Sequence, residues 1–267
     1  GRSALDAVEL MNVGANYLRE HISADARIHY VITKGGGEPN VVPAEAEVWY
    51  YVRAPKREEV GKIYQRLLNI AAGAALMTDT RYEVELLAAC YNVLPNQVLG
   101  KLLQEKLEEV GPPPFDARDL EFAAELQESF AAGQLEKALE QLQKYQVEDR
   151  VLHQGVTPFH LEEKPMSGST DVGDVSWVVP TAQFTTACAP IGTAGHSWQM
   201  VVTSGMSIGE KGMLTAARVL ALSAAELFRN SELLAAAQQE FTAATQDRPY
   251  RCPLEPDARP PLHQLAH

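Results

Sequence analysis

Arg27-Ile28-His29-Tyr30-Val31-Ile32-Thr33 alternates its side chains with the period of a strand: Ile28, Tyr30 and Ile32 share one face, and His29 points the other way. Upstream, Ser3 followed by Asp6 gives a capping-box-like start. Leu5, Val8, Met11, Ala15, Leu18 and Ile22 then mark one side of a helix. Downstream, Gly35-Gly36-Gly37 supplies a flexible connection to a second strand from about Glu45 to Arg53, with Val48, Tyr50 and Val52 facing inward. Pro55 stands where a helix can begin, and Val60, Ile63, Leu67, Ile70 and Ala74 keep its spacing. Tyr82, Val84 and Leu86 alternate with Arg81, Glu83 and Glu85, which predicts a third strand. The order α-β-β-α-β predicts an α+β unit over residues 1–89: a small antiparallel sheet with helices on one face.

The pattern changes from Tyr91 onward. Asn96 can cap a helix carrying Leu99, Leu103, Leu107 and Val110, and Gly111-Pro112-Pro113-Pro114 ends it. Helical patterns at 116–131 and 134–145, parted by Gly133, predict a surface hairpin inserted at about 116–146. The stretch 147–173, with Pro158 and Pro165, reads as a long loop, and long ordered loops are often functional. Short strands are predicted at 175–178 and 183–188, then helices at 207–228 and 231–245. The tail holds Pro253, Pro256, Pro260 and Pro261, and it places His263 and His267 four residues apart. Residues 90–267 thus form a second unit.

Composition excludes several classes of partner. Acidic residues outnumber basic ones by 35 to 23 in a chain of 267, and no basic stripe stands out, so nucleic acid is not expected. Cys90, Cys188 and Cys252 are too few and too scattered for a disulfide framework; they point to a reducing, cytoplasmic setting. No apolar run reaches membrane-spanning length. The chain opens at Gly1 without methionine and enters a helix at once, so it is expected to be cut from a longer protein.

Two loops carry the chemistry. Gly168-Ser169-Thr170-Asp171-Val172-Gly173-Asp174-Val175-Ser176-Trp177 is a small-residue loop with two carboxylates. Gly192-Thr193-Ala194-Gly195-His196-Ser197-Trp198 presents one imidazole between glycines. Together they look like half of a metal site, because His, Asp, Glu and Cys nowhere recur at the spacing of a complete zinc-protease or two-metal centre. Each residue also has a plainer role. His196 can cap a helix, Asp171 and Asp174 can serve as turn residues, and His29 suits a strand surface. Asn40 can be a turn residue, and Arg53 an edge-strand charge.

Gly36-Gly37-Glu38-Pro39-Asn40-Val41-Val42-Pro43, followed by Val52-Arg53-Ala54-Pro55, resembles the lid-domain signature of a family of dinuclear-metal amidohydrolases and peptidases. That family includes aminoacylases, carboxypeptidase G-type enzymes and auxin-conjugate hydrolases. The loop at 168–177, with Gly195-His196-Ser197-Trp198, resembles the branch that cleaves p-aminobenzoyl-glutamate. The resemblance implies two divalent metals, zinc or manganese, in an α/β catalytic domain, with a water between them and a carboxylate that takes its proton. It makes His196 the last metal ligand, Asn40 and Arg53 substrate-binding groups of the lid, and Thr170, with Asp171 beside it, part of the loop against a small-molecule substrate. Arg53 suits a carboxylate because guanidinium can grip it with two parallel hydrogen bonds. The family's lid pairs two protomers through a sheet edge or helical face, which implies a homodimer, with a second homologous chain as a variant. Trp49 and Tyr51 lie on a face too apolar for solvent alone. The remaining ligands and the general base belong upstream of Gly1, so the chain alone is expected to be the inactive C-terminal portion of an amidohydrolase. A non-catalytic dimerisation module, and an aminoacylase or dipeptidase, stand as alternatives.

Overall fold

A computed structural model describes residues 1–143, 145, 147–159 and 168–260; the expectations for Pro165, Pro261, His263 and His267 lie outside the described residues. The chain divides into two compact units. One comprises Gly1–Val93 with the described parts of Pro165–Asp174 and Arg251–His267, and the other comprises the described part of Leu94–Lys164 with Val175–Tyr250.

In the first unit, α1 (Ala4–Leu18) starts where the Ser3 hydroxyl accepts the Asp6 N–H at 3.2 Å, and it buries Val8, Asn12, Ala15 and Leu18. That spacing of three and four residues is one helical stripe. β1 (Arg27–Lys34) and β2 (Glu47–Arg53) pair antiparallel, and α2 (Arg57–Thr78) follows, burying Ile63, Leu67, Ala71, Ala74 and Ala75. Gly14 lets α1 approach α2, since a β-carbon there would stand 2.6 Å from a methyl of Ile70. The core joins Leu18, Ala26, Ile28 and Ile63, and Ile22, Tyr50, Val52, Ala54 and Ile70 pack around it. On the even-numbered face of the hairpin Ile28 is buried and Tyr50 and Val52 are half-buried against the helices, as the periodicity predicts, whereas Tyr30 and Ile32 of the same face remain 38% exposed. Tyr50 donates to the buried Asn12 amide oxygen, and burial pushes its phenol well above the ordinary range. Ile28 is only 2% exposed, so Ile28→Ala is expected to cost about 2–5 kcal/mol. Urea unfolding followed by circular dichroism would measure the loss.

The predicted third strand does not form. Residues 80–94 carry no regular structure, and Tyr82, Val84 and Leu86 stay 49%, 51% and 40% exposed. Alternation meets one requirement of a strand, but the other is a neighbour to complete the hydrogen-bond ladder. Among the described residues the sheet has only β1 and β2.

The second unit is helical among its described residues. α3 (Gln97–Val110) is capped by Asn96, whose side chain accepts from Leu99 N–H at 3.0 Å and donates to the Ala237 carbonyl at 2.9 Å. α4 (Ala117–Gln127) and α5 (Gln134–Gln143) make the predicted hairpin. α6 (Val172–Ser176) bridges the two units in sequence; α7 (Trp198–Ser204), α8 (Ser207–Arg229) and α9 (Ser231–Thr245) complete the order. Ala123, Leu152 and Ile208 form its core with Phe115, Leu120, Phe122 and Val151.

The strands predicted at 175–178 and 183–188 are absent. The first stretch spends its backbone groups locally, with Val178 and Val179 N–H both donating to the Val175 carbonyl at 3.0 Å. The second packs on α8 instead, where Thr186 donates to the Gly212 carbonyl at 3.0 Å.

Lys211 on α8 ties this unit to the start of α4, meeting Asp116 at 2.9 Å and the buried Asp119 at 2.5 Å. Burial works to raise the Asp119 carboxyl, but Lys211 and the Asp116 N–H outweigh it and hold the carboxyl below its usual range. Asp116 is lowered chiefly by Lys211. A depressed carboxyl contributes stability above its unfolded pKa and loses it as pH falls through the folded one. Lys211→Met is therefore expected to lower the melting temperature at neutral pH, with the gap from wild type closing below about pH 4. A gap independent of pH would mean that Lys211 acts by packing alone.

Candidate functional site

β2 ends at Arg53, and its guanidinium donates to the Ser169 hydroxyl at 3.0 Å, so the 168–174 loop is tied to the strand within the first unit. The loop is held in a tight turn. Thr170 accepts the Val172 N–H on its hydroxyl at 3.2 Å and the Gly173 N–H on its carbonyl at 3.3 Å, while the Asp171 carbonyl takes the Asp174 N–H at 3.0 Å. The Asp171 side chain remains exposed. Asp174 points back and accepts the Tyr91 N–H at 3.2 Å. Gly173 is essential to this contact, because a β-carbon there would lie 1.9 Å from the Tyr91 carbonyl oxygen.

Cys90 shares this neighbourhood. Burial, and then the Asp174 and Asp171 carboxylates, push its thiol up against the opposing pull of Arg53. A thiol raised in this way stays protonated near neutral pH and is a poor nucleophile. This cluster therefore sets a guanidinium beside hydroxyls and a carboxylate.

Asn40 sits exposed in the turn between β1 and β2, next to the Val41 N–H that donates to the Glu38 carbonyl at 3.1 Å. No hydrogen bond joins it to Arg53 or to the 168–174 loop among the described residues. The structure thus gathers Arg53, Thr170 and Asp171 into one cluster and leaves Asn40 on a separate turn of the same unit.

His196 belongs to the second unit, exposed and immediately before α7. Its loop is firmly built. Ser197 caps α7 by accepting from Met200 N–H at 3.3 Å and donates to the Ala194 carbonyl at 2.7 Å. Gln127 on α4 donates to the Ile191 carbonyl at 2.9 Å, and Gln134 on α5 donates to the Gly192 carbonyl at 2.8 Å. The hairpin that reads as a surface insertion therefore anchors the approach to His196. The capping function assigned to this loop falls to Ser197, so the imidazole is left pointing outward.

No three of His, Cys, Asp and Glu converge as a metal-binding group among the described residues. His196 is a single donor, and these residues do not by themselves fit a metal centre. Three features escaped sequence reasoning. Ser169 and Cys90 carried no signal beyond proximity to a motif. The Asp149–His153 contact at 2.8 Å was readable as a pair four residues apart. Among the described residues no helix is long and apolar enough to cross a membrane.

No family model matches the chain. Its sequence is 41% identical to one of the subunits of p-aminobenzoyl-glutamate hydrolase from Escherichia coli, across 97% of this chain and 56% of that protein. It is 28% identical to the Xaa-Arg dipeptidase of Mus musculus, across 92% of this chain and 48% of the relative. Against the Xaa-Arg dipeptidase of Homo sapiens the identity is 27%, across 94% and 48%. The chain spans about half the length of the curated relatives it matches. The resemblance carried by the lid signature and the two loops is borne out.

Proposed function

We propose that this chain, similar over nearly its whole length to part of a p-aminobenzoyl-glutamate hydrolase, is the lid and second catalytic portion of an amidohydrolase that releases an amino acid from an aromatic acyl group. The observation that carries the reading is the link between Arg53 and Ser169, which sets a carboxylate-gripping cation against the loop holding Thr170 and Asp171. In this reading Arg53 holds the carboxylate of the amino acid. Asn40 and Thr170 orient the amide, and Asp171 lines the same loop. His196 would be the one residue of this chain to hold a divalent metal, and zinc or manganese, when bound, would supply Lewis-acid activation of water. Two copies pair through the lid.

The test compares this chain with the same protein extended to the length of its relatives. The extended form is expected to hydrolyse p-aminobenzoyl-glutamate in the presence of zinc or manganese and to run as a dimer in light scattering, whereas the chain alone turns nothing over. Turnover by the chain alone would overthrow the division of the site. An extended form that cleaves Xaa-Arg dipeptides and spares the glutamate conjugate would place the activity with the dipeptidases.

A further inference from the structure

One carboxylate oxygen closes the turn at 149–154. Asp149 Oδ2 accepts from His153 Nδ1 at 2.8 Å and from the Gln154 N–H at 3.0 Å. A carboxylate only accepts, so the imidazole donates from Nδ1. His153 Nε2 is buried and has no hydrogen-bond partner, which leaves Asp149 as the polar group that orients the ring. Gly155 lies close along the ring edge, where a β-carbon would stand 3.2 Å from Cε1.

The closed turn aims two consecutive carbonyls at one distant residue. The Val151 carbonyl accepts the Ile191 N–H at 2.8 Å. Gln127 on α4 donates to the Arg150 and Ile191 carbonyls, at 2.9 Å to each. Both backbone groups of the buried Ile191 are thus satisfied at this turn, one directly and one through the shared Gln127 amide. Leu152, fully buried, anchors the turn in the core of the unit.

Five residues beyond Ile191 stands His196, and the chain between them is tightly bonded. Thr193 donates to the Pro190 carbonyl from its N–H at 3.1 Å and from its hydroxyl at 2.7 Å. Gln134 holds the Gly192 carbonyl at 2.8 Å, and Ser197 donates to the Ala194 carbonyl at 2.7 Å. A shift of Ile191 is therefore passed along to the imidazole rather than absorbed.

We propose that Asp149 and His153 are a positioning pair for His196, holding the turn on which the root of the His196 loop is seated. The assignment rests on the amidohydrolase reading above, in which His196 serves the reaction, and adds the groups that fix its place. Neither residue of the pair touches substrate. Their effect is on geometry, and a displacement of about 1 Å at a reacting group can cost on the order of a hundred-fold in rate.

The experiment compares Asp149→Ala, Asp149→Asn, His153→Phe and Ile208→Val in the protein extended to the length of its relatives. Benzoyl-glutamate kinetics are normalised to the folded fraction by circular dichroism, and amide hydrogen exchange is followed over residues 191–197. Asp149→Ala removes the acceptor of both bonds, and kcat is expected to fall roughly ten-fold with KM unchanged, while the Ile191 amide exchanges faster. His153→Phe keeps a ring and loses the donor, and it should behave alike. A single oxygen accepts both bonds, so the carboxamide of Asp149→Asn can take its place and should restore kcat and exchange. Ile208→Val thins the same core away from the turn, and it should lower the melting temperature without lowering kcat. A kcat loss that Asp149→Asn does not restore overturns the proposal, as does Ile191 exchange no faster in Asp149→Ala than in Ile208→Val. Wild-type behaviour of His153→Phe would overturn the pairing. If the extended wild type turns nothing over, the amidohydrolase reading fails; exchange that quickens in Asp149→Ala and recovers in Asp149→Asn would still sustain the seating of the His196 loop by the pair.

Discussion

His196→Ala in the protein extended to the length of its relatives is expected to abolish turnover of every acyl amino acid while leaving the melting temperature of the metal-free form unchanged. The expectation has two physical parts. The first is that the imidazole is exposed and the loop beneath it is fixed by other groups: Ser197 caps α7, and Gln127 and Gln134 hold the carbonyls of Ile191 and Gly192. Removing the ring therefore takes away no contact on which folding depends. The second is that a ligand to the group that activates water acts on the attacking nucleophile, which is common to all substrates. The loss should be uniform across benzoyl-glutamate, benzoyl-glutamine and benzoyl-arginine. Arg53→Ala should instead raise KM by an amount worth about 1.5–3 kcal/mol for substrates with a free carboxylate, and should spare their carboxamide analogues. Retained turnover in His196→Ala would reduce His196 to a loop residue ahead of α7, and a variant that also melts early would mean that the ring supports the loop.

The contrast between these two residues shows what could be read from residues alone. Helices were legible because their signals are local: Ser3, Asn96 and Asp116 each accept a first-turn N–H from the helix they were expected to open. The inward face of the hairpin was legible for the same reason, since period two decides which side Ile28, Tyr50 and Val52 occupy. Strand existence was not, because a strand is a relation between two segments. Tyr82, Val84 and Leu86 alternate correctly and still pair with nothing among the described residues. Register was hidden too. The connection between Lys34 and Glu47 is too long for a tight turn to dictate pairing, so the placing of Arg27 against Arg53 appears only in the ladder. At the site, the loop motifs marked Thr170, Asp171 and His196 as residues of interest. The link from Arg53 to Ser169 spans 116 positions and has no sequence signature.

Gly173→Ala is expected to cost about 3 kcal/mol or more and to loosen the grip of Arg53 on substrate, although neither residue touches the other's chemistry. The added β-carbon would stand 1.9 Å from the Tyr91 carbonyl oxygen and 2.8 Å from its carbon, and a backbone group cannot rotate aside as a side chain can. Either the 80–94 segment or the 168–174 loop must move. Moving the loop breaks the Asp174 contact with the Tyr91 N–H and carries Ser169 away from the Arg53 guanidinium. Gly168, in the same loop, supplies the control, because a β-carbon there meets nothing within 4 Å and Gly168→Ala should leave stability and KM unchanged. Denaturant unfolding and benzoyl-glutamate kinetics on the two variants decide the matter. If Gly173→Ala is as stable as Gly168→Ala, the close packing of the loop on Tyr91 is wrong; if it unfolds early with an unaltered KM, Ser169 does not position Arg53.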